Sequence, residues 1–212
     1  MPAKNPDLHG NVPDKAPVAL LLIDVINDLE FPEGDRLALH AVPMAGRLSA
    51  LKSRARKARI PAIYVNDNFG RWQSDLTRLL EHSLGTENRG RPMVELLRPE
   101  PDDYFVLKPK HSGFFSTTLD ILVEYLQVKT LILTGVAANI CVLFTAHDAF
   151  LRDLHLVVPS DCVASNDEDT NRLALDHMRT VLKADTRPSD ELDLEALKKP
   201  PAGTDATGGS HR

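Results

Sequence analysis

Five short apolar runs punctuate the chain: residues 18–24 (VALLLID), 62–67 (AIYVND), 104–108 (YFVLK), 130–136 (TLILTGV) and 154–159 (LHLVVP). Each is leucine-rich or β-branched and nearly free of interior polar positions, the pattern of parallel strands covered on both faces. Helical patterns lie between them. Residues 40–59 hold Leu48 and Leu51 at helical spacing and finish on Lys52, Arg54, Arg56, Lys57 and Arg59, just before Pro61. That basic run reads as a solvated face complementing the helix C-terminal dipole, with phosphate binding the weaker alternative. Residues 117–127 open on Thr and align Leu119, Leu122, Val123 and Leu126 on one stripe. Residues 139–152 and 167–184 read as two more helices, the second following Asn166 with acidic residues in its first turn. Strands alternating with helices predict right-handed βαβ units, hence an α/β fold: a doubly wound, mostly parallel sheet of five or six strands with helices on both faces. The sixth strand is signalled only weakly, near 184–186. Residues 68–103 break the rhythm; long, polar and punctuated by Pro and Gly, they read as an insertion covering a site.

Composition narrows the function classes. With 212 residues the chain has the length of one domain with appendages, enough to bury a core without disulfides or metal. Apolar residues make up 42% and charged ones 26%, an ordinary globular balance. The net charge of −5 argues against nucleic-acid or anionic-membrane partners, which demand clustered positive charge. No apolar run reaches the ~18–20 residues that span a bilayer. Two cysteines and no apolar leader at the N-terminus point to a reducing cytoplasm. Residues 1–16 and 191–212 read as tails, the last of them (199–212, KPPAGTDATGGSHR) too apolar-poor to offset the entropy of ordering. The domain is expected over 17–190.

In open α/β sheets ligands sit beyond the carboxyl ends of the strands, so the reactive groups there matter most. Asp24 ends the first apolar run and Lys108 the third, and Cys141 follows the fourth within about the first turn of a predicted helix. Each has a plain reading alone: a turn cap, a snorkelling lysine, a small buried hydrophobe. Together they supply a base, a cation and a nucleophile. A helix start favours a thiolate at Cys141, and the segment TGVAAN offers turn amides for an oxyanion hole. Cys162 lacks such a setting and reads as structural.

The stretches LLIDVINDL, LKPKHSGFFSTTLD and LTGVAANICVLFTAHDAFLRD, with VVPSDCVAS more weakly, resemble those of the isochorismatase-like cysteine hydrolases, which include nicotinamidases and N-carbamoylsarcosine amidohydrolase. The resemblance runs from about residue 17 to about 190. It implies a catalytic triad of Asp24, Lys108 and Cys141. It also implies a cis peptide at Val136–Ala137, turning the amides of Ala137 and Cys141 towards an oxyanion. Enzymes of this kind that open the vinyl ether of isochorismate do without the cysteine. Cys141 therefore favours cleavage of a C–N bond (amide, imide or carbamoyl) in a small molecule through a thioester, with Asp24 as general acid/base and Lys108 as electrostatic partner. The alternatives are a vinyl-ether hydrolase that ignores the thiol, and a non-catalytic binding or redox-sensing member of the fold. Nicotinamidases surround a metal with an Asp-x-His and a later His. Here Phe69 stands two residues after Asp67, and no histidines pair at metal spacing, so no metal and no cofactor are expected. His82 and His111 read as solvated or capping. Asn66, Asn68, Arg71, Trp72 and Gln73 are the expected pocket lining, and Phe31, Phe114 and Phe115 read as packing residues. The resemblance also implies a homo-oligomer.

Overall fold

In the computed structural model, residues 15–70, 74–85 and 87–199 are described; the candidates Arg71, Trp72 and Gln73 and most of both expected tails lie outside them. Six strands make one sheet, β1 (Val18–Ile23), β2 (Ala62–Asp67), β3 (Tyr104–Lys108), β4 (Thr130–Val136), β5 (His155–Val157) and β6 (Val163–Ala164). The order is β3-β2-β1-β4-β5, with every pairing parallel. β5 runs beside Thr130–Ile132 of β4, and β6 beside Gly135–Val136. The sixth strand is thus β6, not the expected segment near 184–186. That segment lies along β5 and makes only a single bridge, Val157 to Asp185.

Every residue of β1 and β4 is buried. The pleat sends alternate side chains to opposite faces, so Val18, Leu20 and Leu22 enter one core and Ala19, Leu21 and Ile23 the other. Two apolar faces explain why the strand sequences show no alternation. The first core is closed by α1 (Gly34–Lys57), α2 (Leu76–Gly85) and α3 (Arg91–Leu96). The second is closed by α4 (Leu119–Leu126), α5 (Leu143–Phe150) and α6 (Glu168–Thr180). The 68–103 segment therefore carries two helices of its own.

α1 starts earlier than its pattern suggests and passes through Pro43. Its basic end is solvated only in part: Arg56, Lys57 and Arg59 are exposed, but Lys52 and Arg54 turn inward. Lys52 is buried and pairs with Asp103 at 2.6 Å, and Arg56 donates to Asp102 at 2.7 Å. Arg54 donates to the carbonyls of Ser189 and Leu192, both at 2.6 Å. These bonds fasten the entry of β3 and the C-terminal segment to α1. Leu192 and Leu194 join the first core, so the packed body passes the expected boundary at 190: two leucines one residue apart bury where a tail was expected. Among the described residues no helix is long and apolar enough to cross a membrane.

Candidate active site

Connections leave β1 and β4 towards opposite faces, so the crevice between their carboxyl ends is the topological switch point where such folds bind ligands. β1 stops at Ile23 because Asp24 turns into the left-handed region at φ 53°, which Asp tolerates better than most residues. The turn folds its carboxylate over the strand ends. There the Asp67 amide donates to Asp24 Oδ1 at 2.6 Å. Lys108, the last residue of β3, is fully buried, with Nζ 2.8 Å from Asp24 Oδ2. The same ammonium donates to Cys141 Sγ at 3.5 Å and to Asp67 Oδ2 at 3.4 Å.

Gly135 sits at φ 106°, and a Cβ there would stand 2.1 Å from the Ile23 carbonyl oxygen. Only glycine lets β4 pass β1 this closely. The Val136–Ala137 peptide is cis. The expected helix at 139–152 then begins as a π-helical turn, Ala138–Val142, and becomes α-helical as α5; π turns of this kind recur at functional sites. Cys141 rides on that turn. Thr145 Oγ1 donates to its carbonyl at 2.7 Å and accepts from the Gly113 amide at 3.0 Å, clamping the turn to the loop after β3. Three groups separated by 84 and 33 residues thus meet through two strand ends and the turn that follows a third.

The electrostatics are those of a dry cluster. Burial pushes the Asp24 carboxyl up, against the pull of Lys108. Burial works to lower Lys108, yet Asp24 and its anionic neighbours prevail and hold the ammonium above its usual value. Burial and then the Asp24 charge push the Cys141 thiol well up, more than Lys108 lowers it. Desolvation and the neighbouring carboxylate thus work against the helix-stabilised thiolate that the position of Cys141 suggested.

The pocket candidates divide. Asn66 is not lining: it has no exposed surface, donates to the Ile26 carbonyl at 2.8 Å and accepts from the Ile26 amide at 3.3 Å. It ties the chain after β1 to β2. Asn68 does line a cavity of about 530 Å³, with Asp28, Phe31, Phe69, Leu79 and His82. Neither Lys108 nor Cys141 lines this cavity, but it opens on the same edge of the sheet, and the Asn68 amide donates to the Lys108 carbonyl at 3.2 Å. Phe31, read as packing, is on the cavity wall, and Phe115 is exposed; Phe114 is buried. His82 Nε2 lies 2.7 Å from Asp28 Oδ2. His111 is exposed, as a solvated residue is, and also reaches the thiol's edge, its Nδ1 4.0 Å from Cys141 Sγ and its ring against Phe144. Sequence reasoning missed Asp67 as a neighbour of Lys108. The signal was available, because Asp67 ends β2 just as Lys108 ends β3. Among the described residues no three His, Cys, Asp or Glu side chains are grouped to hold a metal.

This fold and sequence belong to a known class: residues 18–186 match the Isochorismatase domain, and the chain is a member of the isochorismatase family of hydrolases. Its relatives include the isochorismatase family protein YaaI of Bacillus subtilis, 40% identical over 84% of this chain and 97% of that protein. The ureidoacrylate amidohydrolase RutB of Methylobacterium radiotolerans is 28% identical over 92% of this chain and 86% of its own length. Among solved structures, N-carbamoylsarcosine amidase from Thermoplasma acidophilum superposes with a TM-score of 0.63 at 27% identity, covering 83% of this chain and 98% of that one. An isochorismatase family protein from Desulfovibrio vulgaris shares the fold, with a TM-score of 0.69 at 24% identity over 87% and 100% of the two chains.

Proposed function

We propose that the protein hydrolyses a C–N bond of a small amide or carbamoyl compound, using Cys141 as nucleophile. The observation that carries this reading is the packing of thiol, carboxyl and ammonium around one point, Lys108 Nζ lying 2.8 Å from Asp24 and 3.5 Å from Cys141. Sγ attacks the carbonyl carbon as its proton passes to Asp24, a carboxyl already raised by burial and so suited to accept it. The amides of Ala137 and Cys141 hold the oxyanion. Asp24 returns the proton to the leaving nitrogen as the C–N bond breaks. Water then cleaves the thioester, with Asp24 taking and giving back its proton in turn. Lys108 stays charged throughout, and each step moves a proton only within the cluster, so no new net charge is buried.

Two relatives are named for ureido or carbamoyl substrates, which puts N-carbamoyl amino acids and ureidoacrylate first among compounds to try, with nicotinamide as the comparison. The test is ammonia release from such a panel by wild type and Cys141→Ala. Loss of roughly 10³-fold or more, together with an acyl adduct on the acid-quenched wild type, is expected for a nucleophile acting in a unit. Full ammonia release without the thiol would overturn the mechanism.

A further inference from the structure

Behind the thiol, α5 and α6 bring two histidines together that the sequence holds 30 residues apart. His147 Nε2 and His177 Nε2 face each other at 3.1 Å, with ring centroids 5.1 Å apart and planes inclined by 43°. Both side chains are half-buried. Two neutral imidazoles at this distance share one proton, one ring donating and the other accepting. Two imidazole nitrogens bound to one tetrahedral zinc at ~2.0–2.1 Å stand about 3.3 Å apart, so the resting pair is within about 0.2 Å of the separation a chelate needs. We propose that His147 and His177 form a site for a borderline divalent cation, of the Zn²⁺, Ni²⁺ or Cu²⁺ class, bridging α5 and α6. Imidazole pairs suit these ions and not Mg²⁺ or Ca²⁺, which take oxygen ligands. Among the described residues no third His, Cys, Asp or Glu completes the group, so water fills the remaining positions. Loading needs a lone pair on each Nε2. The donor ring therefore moves its proton to Nδ1, and no proton need be released. α6 also packs on the π-helical turn that carries Cys141, and α5 continues that turn, so the ion would staple the two helices that back the thiol. The site is independent of the proposed hydrolysis.

The experiment is titration of ZnCl₂ into chelator-stripped full-length protein, read by thermal unfolding and by imidazole NMR. At zinc a hundredfold above Kd, linkage multiplies the folding constant about 100-fold, raising Tm by roughly 5–10 °C in a chain of this length. The imidazole resonances of His147 and His177 should shift together, with one ion bound. His147→Gln and His177→Gln should each abolish the rise. His82→Gln, in the separate cavity, and Cys141→Ser should retain it. A rise that persists in His177→Gln, or that vanishes in Cys141→Ser, would place the ion elsewhere and overturn the proposal. Should either Gln variant fail to fold, the wild-type NMR decides: zinc that leaves both imidazoles unshifted refutes the site.

Discussion

Lys108→Met is the most informative single substitution, because methionine retains the apolar stem and removes only the buried charge. The ammonium has no exposed surface and its partner Asp24 almost none, at a separation of 2.8 Å. With an effective dielectric of 20 that pair attracts by about 6 kcal/mol. Buried pairs broken from one side lose ~3–5 kcal/mol, since the remaining charge is stranded. Asp24 has one escape, which is to take a proton. Burial already raises its carboxyl and Lys108 is the main restraint, so the variant's carboxyl rises further. Keeping protonated at pH 7 an acid whose free-chain value is 3.8 costs about 4 kcal/mol, at 1.36 kcal/mol per unit. The variant should therefore lose about 3–4 kcal/mol at pH 7, and about 1.4 kcal/mol less for each unit of acidification. The sign follows from proton uptake. An acid raised on folding binds more protons folded than unfolded, so its stabilisation is full below the free-chain value and is lost as pH rises through the folded one. Urea unfolding followed by far-UV circular dichroism, from roughly pH 4.5 to 7.5, measures this directly. A loss below ~1 kcal/mol at pH 7, or one that grows towards acid, would refute the buried-pair reasoning.

Asp24→Asn should accelerate iodoacetamide labelling of Cys141 near neutrality, because it removes an anion that helps burial push the thiol up; under the proposed mechanism it should also cut amide hydrolysis by roughly 10²–10⁴-fold through loss of the proton acceptor. In the wild type, labelling of Cys141 should climb continuously into the alkaline range. Cys162, fully buried and pushed up to about 12 by burial, should stay unlabelled until the chain unfolds; mass spectrometry of the two peptides reads both. Tyr64→Phe deletes the hydroxyl that donates to the Leu97 carbonyl at 2.7 Å. It should cost ~1–3 kcal/mol, seen as a lower urea midpoint at unchanged slope. Gly135→Ala puts a methyl against the Ile23 carbonyl at an unfavourable φ and should lose roughly 3 kcal/mol or more, with the thiol's labelling profile altered because β4 leads directly into its turn.

The strands were legible from the chain because parallel strands buried on both faces must be apolar at nearly every position: β2, β3 and β4 coincide with the runs 62–67, 104–108 and 130–136. The same logic put Asp24 and Lys108 at strand ends, where a charge interrupting an apolar run has to find water, a partner or a function. What the linear pattern held back was anything made by packing two distant segments together. Leu192 and Leu194 look like tail residues until α1 offers them a face, and Lys52 and Arg54 look solvated until Asp103 and two carbonyls arrive. Asn66 looks like a pocket amide until the chain after β1 folds back to use both ends of it. The thiol's surroundings are the sharpest case. A helix start predicts a thiolate, but desolvation and the Asp24 charge depend on which groups share the crevice and how much water they exclude. Local sequence determined which elements form and where their reactive ends lie. Only the tertiary structure decided the partners of those ends, because charge, burial and hydrogen bonding are properties of distances between segments and not of any one segment.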